Sequence, residues 1–130
     1  MRPEDEMAHI EKQRDNKTSA LLVGTVDGEI ICVASLRAPT KERLAHQVDL
    51  GISVRKAYWD MGAGSHMMGA VIAFARSNGV SEIIHLGVRA DNVRAIHLYE
   101  KFGFIEIGRY PHYFKINNEY FDDVLMNLYL

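Results

Sequence analysis

The chain has 130 residues, 48% hydrophobic and 25% charged, which suits one domain with an ordinary core. Fifteen Lys and Arg against seventeen Asp and Glu leave a formal charge of -2, without the basic surplus expected of a nucleic-acid partner. The longest run free of polar side chains, Met67 to Ala75, is far short of a bilayer span, and the acidic start MRPEDEMAHI is unlike a secretory leader. Cys32 is the single cysteine, so no internal disulfide can form and a reducing compartment fits. The expectation is a cytoplasmic protein of one domain, residues 1–130, with no membrane or nucleic-acid partner.

Residues 4–16 are expected to form a helix, with Glu4, Asp5 and Glu6 in its first turn after Pro3, where acids suit the dipole. Ser19 to Val26 and Glu29 to Ala38 are β-rich runs joined by Asp27-Gly28, a strong hairpin signal. Pro39 to Ala45 is polar and reads as a loop. Gln47 to Val54 reads as a strand with Val48, Leu50, Ile52 and Val54 on one face. The period then changes. From Gly64 to Ser77, Met67, Met68, Val71, Ile72, Phe74 and Ala75 follow helical spacing, and Asn78-Gly79 supplies a stop. A strand over Glu82 to Val88 precedes a second helix from about Asp91 to Phe102, ended by Gly103. Two β runs, Phe104 to Ile116 and Tyr120 to Leu130, flank an Asn117-Asn118 turn. The order α-β-β-β-α-β-α-β-β implies an α/β fold with antiparallel hairpins at both ends.

The most informative stretch runs from Val54 through Trp59 and Asp60-Met61-Gly62-Ala63-Gly64-Ser65 into His66. A strand ends there, and a glycine-bearing loop opens directly into a helix. Converging backbone N–H groups at a helix N-terminus suit a phosphate or pyrophosphate. The same glycines also suit a tight turn that binds nothing. A dinucleotide fingerprint fails because Met67 stands where a small residue is needed, and no GxxxxGK[ST] occurs. No histidine pair at i,i+4 and only one cysteine are present, so no metal is expected.

The second helix carries Asn92, Ala95, Tyr99, Gly103 and Phe104 in the spacing N-x-x-A-x-x-x-Y-x-x-x-G-F. With Gly62 and Gly64 upstream and Tyr120-x-Asp122-x-x-x-Met126 downstream, the sequence resembles the GNAT superfamily of acetyl-CoA-dependent N-acetyltransferases over about residues 19–130. The resemblance implies a mixed central sheet with helices packed on both faces. It implies an acetyl group moved from acetyl-CoA to a primary amine by direct attack in a ternary complex. The acceptor is expected to be a small molecule or a peptide.

By the same resemblance, the backbone of Ile52, Ser53 and Val54 pairs with the pantetheine arm. The amides of Asp60, Met61, Gly62, Ala63, Gly64 and Ser65 take the pyrophosphate. Trp59 departs from the family's Arg or Gln, which removes a side-chain contact. Asn92 reads either as a pantetheine contact or as a helix cap. Tyr99 reads as the acid that protonates the leaving thiolate, against plain packing with Ile96 and Phe102. Some members place a glutamate base where this chain has Gly87. Asp49 is the remaining base candidate, against a solvated strand acid, with His46 or a water chain as substitutes. Phe114 and Tyr120, near Asp122 and Asp123, read as acceptor-pocket residues or as ordinary hairpin pairs. Cys32 reads as buried core.

The family commonly begins with a strand and one or two helices ahead of the hairpin that starts here at Ser19. With only the helix at 4–16, the chain reads as lacking the first strand and one helix. The run Ser19 to Val26 then becomes an exposed edge, and a homodimer that covers it is expected. The reading in another class is a non-catalytic acyl-CoA-binding module or a remnant of the acetyltransferase fold.

Overall fold

The computed structural model describes residues 18–59 and 62–130, together with the backbone of residues 9–14. Among the described residues seven strands occur: β1 (His9–Arg14), β2 (Ala20–Val26), β3 (Glu29–Arg37), β4 (Gln47–Val54), β5 (Ile83–Arg89), β6 (Ile105–Ile116) and β7 (Glu119–Tyr129). Two α-helices, α1 (Ala63–Ser77) and α2 (Val93–Lys101), lie between β4 and β5 and between β5 and β6. Both hairpins turn on two residues with positive φ, Asp27 at 51° with Gly28 at 81°, and Asn117 at 51° with Asn118 at 65°. That backbone matches the right-handed twist of the flanking strands.

The sheet order is β1-β2-β3-β4-β5-β7-β6, with β4 and β5 parallel and every other neighbour antiparallel. One face is apolar: Leu22, Ala34, Leu36, Val48, Leu50, Ile84, Leu86, Met126 and Leu128 are buried there. Met67, Met68, Val71, Phe74 and Ala75 of α1 close over it, in the helical spacing that the sequence shows. Cys32 belongs to the same core and is 1% exposed.

Both crossovers step in the same direction along the sheet, from β4 to β5 and from β5 past β7 to β6. Right-handed connections then put α1 and α2 on the same face. Two close approaches fit this: a Cβ on Gly64 would meet Leu98 Cδ2 at 3.1 Å, and one on Gly103 would meet Leu128 Cδ1 at 3.3 Å. The expected helical cover on the second face has no counterpart among the described residues. Asp49, Gly51, Ser53 and Gly87 are exposed on it. None of the described helices is long and apolar enough to cross a membrane.

The helix expected over 4–16 is corrected where the chain is described. His9–Arg14 is a strand, paired antiparallel with β2 from His9↔Thr25 to Arg14↔Ala20. An open β2 edge offers a row of backbone donors and acceptors, and pairing with it outweighs first-turn helix signals worth only tenths of a kcal/mol each. The remainder of that expectation, residues 4–8 and 15–16, lies outside the described residues. A strand therefore precedes the first hairpin, and β2 is flanked by β1 and β3. The homodimer argued from a bare β2 edge loses its premise.

Candidate active site

β4 and β5 pair only from Gln47↔Ile83 to Asp49↔His85. β4 nevertheless stays bonded to β3 as far as Cys32↔Val54, and β5 to β7 as far as Arg89↔Asp123. Beyond Asp49 and His85 the two strands part, and a wedge opens in the sheet. Backbone polar groups on the inner margin of a wedge have no ladder partner and are suited to pair with a ligand. A cavity of about 260 Å³ fills the opening, lined by Ile52, Ser53, Val54, Trp59, Asn92, Arg94, Ala95, Leu98 and Tyr99.

A second cavity, about 270 Å³, adjoins it through Val54, Trp59, Arg94 and Leu98 and runs to Gly62, Gly64 and Ser65. Gly62 caps α1 with φ at 87°, a left-handed conformation that a side chain would strain, and its carbonyl accepts from the His66 amide at 2.9 Å. The first-turn amides of Ala63, Gly64 and Ser65 have no acceptor within the helix, and the dipole adds positive potential there. A side chain on Gly64 would press on Leu98 of α2, at 3.1 Å from its Cδ2. Asp60 and Met61 lie outside the described residues.

Nitrogen-bearing side chains ring this turn. Arg94, His97 and Lys101 all line the second cavity, and Lys101 Nζ donates to Ser65 Oγ at 3.2 Å. These residues were missed in the sequence, although their i, i+3, i+7 spacing puts them on one helical stripe. Trp59 is more than a lost contact. Its indole N–H donates to the Val54 carbonyl at 2.8 Å, and the Arg94 guanidinium lies 4.6 Å from its ring centroid. The ring thus seats a cation from α2 at the mouth of the cavity.

Asn92 caps α2: its side-chain oxygen accepts from the Ala95 amide at 3.2 Å. It also lines the wedge, and capping leaves its NH₂ donors uncommitted to that bond. Tyr99 is 7% exposed, lies against Phe104 with ring centroids 5.8 Å apart, and still lines the wedge beside Ile52 and Ser53. Burial pushes its hydroxyl up to about 12.

On the opposite sheet face a cavity of about 300 Å³ is lined by Arg37, Asp49, Leu50, His85, Leu86, Gly87, Tyr113, Phe114 and Asp123. Leu50 and Leu86 are the first residues past the last β4–β5 pair, so this cavity sits at the apex of the wedge. Asp49 projects into it, exposed, while Val48 and Leu50 point into the core. Phe114 lines it, but Tyr120 stacks on His112 at 4.7 Å, and Asp122 accepts from the His112 amide at 3.1 Å. His85 Nδ1 is held by Asn127 Oδ1 at 2.7 Å. His46 does not line it. No cluster of His, Cys, Asp and Glu suited to a metal occurs among the described residues.

A strand–glycine turn–helix beside a split in a mixed sheet is the acyl-CoA site of one acyltransferase class, and the chain belongs to it. The model of the Acetyltransferase (GNAT) family matches residues 1–104. The chain is 30% identical over 124 residues to an L-amino acid N-acetyltransferase of Escherichia coli K12, covering 95% of this chain and 76% of that protein. It is 30% identical over 106 residues to an N-alpha-acetyltransferase of Sulfurisphaera tokodaii, covering 74% of this chain and 62% of that protein. A GNAT-family acetyltransferase from Streptococcus pneumoniae superposes with a TM-score of 0.87 at 28% identity, over 89% of this chain and 70% of that one. An acetyltransferase structure from Salmonella typhimurium, described with its cofactor acetyl-CoA, superposes at 0.80 and 22% identity, over 86% and 65%. This chain is an N-acetyltransferase by class.

Proposed function

We propose that the chain moves an acetyl group from acetyl-CoA to the α-amino group of an amino acid or peptide, by direct attack in a ternary complex. The observation that carries this reading is the split between β4 and β5, with a glycine turn rimmed by Arg94 and Lys101 on one face and an acid-bearing cleft on the other. The first-turn amides with Arg94 and Lys101 suit the pyrophosphate, and the backbone of Ile52, Ser53 and Val54 suits the pantetheine arm. The Val54 carbonyl is already taken by Trp59, so the arm relies on the other groups of that segment. The two curated relatives are named for α-amino acceptors. Asp49 offers negative charge to such an ammonium, and Arg37 in the same cavity offers a guanidinium to a carboxylate.

Tyr99 stands as the donor to the leaving sulfur. With its hydroxyl near 12, full transfer to a thiolate of ordinary pKa, about 8.5, runs uphill by about 5 kcal/mol. Its contribution is therefore a hydrogen bond that stabilises the thiolate as the C–S bond breaks. Such a bond to a charged group is worth about 1.5–3 kcal/mol.

Calorimetric titration with acetyl-CoA, using NAD as control, tests the cofactor half. Micromolar binding of acetyl-CoA alone is expected. Thiol release with single L-amino acids and short peptides tests the transfer. Tyr99→Phe should leave binding nearly intact and lower turnover by roughly 10- to 100-fold. Binding without turnover on any amine would instead identify an acyl-CoA-binding module.

A further inference from the structure

The amine arrives protonated and must lose a proton before it can attack. For an α-amino group with a pKa of about 8, this costs about 1.4 kcal/mol at pH 7. At the cavity that Asp49 lines, β5 presents Gly87, which offers no side chain for the purpose. We propose that Asp123, reaching from β7 into the space that Gly87 leaves empty, takes that proton. This inference rests on the acetyltransferase reading.

The geometry is close. A Cβ built on Gly87 would lie 2.6 Å from Asp123 Oδ2, 2.8 Å from Oδ1 and 3.0 Å from Cγ. The carboxylate thus occupies the volume in which a side chain at position 87 would begin. Asp123 is 7% exposed, whereas Asp49 in the same cavity is exposed. Among the described residues no hydrogen bond engages its carboxylate, so both oxygens face Gly87 and the cavity unpaired. Loss of solvent raises its pKa, and the charge of His85 opposes this. A carboxylate so raised is a stronger base than a solvated one.

The charged and titratable groups that face it are His85 and Arg89 on β5, Asp49 on β4, Arg37 on β3 and Tyr110 and Tyr113 on β6. Arg89 is engaged with Asp91 at 2.6 Å and lies over the Phe121 ring at 4.6 Å. Asp49 then serves to attract the ammonium, and Asp123 receives its proton. The neutral nitrogen attacks the thioester carbon, the C–N bond forms and the C–S bond breaks. The second nitrogen proton passes to the departing sulfur, to which Tyr99 donates a hydrogen bond. Asp123 releases its proton to water.

The test compares wild type with Asp123→Asn by thiol release, using acetyl-CoA and the common L-amino acids singly, from pH 6 to 10. The expected loss in kcat/KM at pH 7 is at least about 100-fold, shrinking as pH approaches the pKa of the amine itself. Acetyl-CoA binding should change by less than about twofold. Asp123→Ala should regain at least about tenfold when formate is added, which a merely structural carboxylate does not allow. Wild-type activity in Asp123→Asn with an unchanged pH profile overturns the assignment. So does a loss that neither pH nor formate restores. A wild-type chain that neither binds acetyl-CoA nor releases thiol overturns the acetyltransferase reading itself.

Discussion

The contact between Gly87 and Asp123 can be weighed without any substrate. Gly87→Ala introduces a methyl carbon 2.6 Å from Asp123 Oδ2, so the carboxylate must swing away. Overpacking of this kind costs about 1–3 kcal/mol. Replacing a strand glycine by alanine otherwise gains about 0.5–1 kcal/mol. The net effect in the wild-type background is a loss of about 0–2.5 kcal/mol. In an Asp123→Ala background the obstructing atoms are gone, and the same change should stabilise by about 0.5–1 kcal/mol. The coupling between the two positions is the clash itself, about 1–3 kcal/mol. Urea unfolding of the four chains measures it. With a slope of about 1–3 kcal/mol/M, the midpoint shifts in the two backgrounds should run in opposite directions. A coupling below about 0.5 kcal/mol, the scatter of independent sites, would refute the reasoning and with it the claim that the carboxylate fills that space.

Trp59→Leu removes the indole donor to Val54 and the seat of Arg94. Because the ring is 41% exposed, stability should change little, whereas acetyl-CoA affinity should fall by roughly tenfold, about the worth of a well-placed cation–π contact. Equal dissociation constants by titration would dismiss Trp59 from the cofactor site. Alkaline stability offers an independent check. Tyr99 rises from 10.0 to about 12 and Cys32 from 9.0 to about 11, both through burial. Groups whose native pKa is raised contribute stability that is full below the unfolded pKa and lost as pH climbs through the native one. Each is worth about 3 kcal/mol, so unfolding free energy should drop between pH 9 and pH 12, and Tyr99→Phe should drop less. A flat profile over that window would contradict the burial of both groups.

The hairpins at Asp27-Gly28 and Asn117-Asn118 and both helices were legible because their signals are local: positive-φ residues, helical periods and glycine stops. The grouping of Gly62, Gly64, Asn92 and Tyr99 around two adjoining cavities was legible for the same reason, since they sit in two short motifs. Residues 9–14 were misread because a neighbouring strand edge, far along the sheet from any local cue, decides their conformation. The closeness of Asp123 to Gly87 was not legible, because it depends on an absent side chain on a different strand. A glycine in β5 acquires a partner only once β7 is laid beside it. Arg94, His97 and Lys101 were visible as a stripe, but the glycine turn they face comes from another helix.

Cys32 is the chain's only thiol, and it lies on β3 between Gly24 of β2 and Val54 of β4. Shielded and held near 11, it stays silent toward disulfide reagents while the sheet is closed. Colour developed by such a reagent during turnover therefore counts released coenzyme alone. Over hours, the slow labelling of the protein becomes a clock for the rare separation of these three strands. A ligand laid along the last residues of β4 should slow that clock by the factor with which it favours the closed sheet.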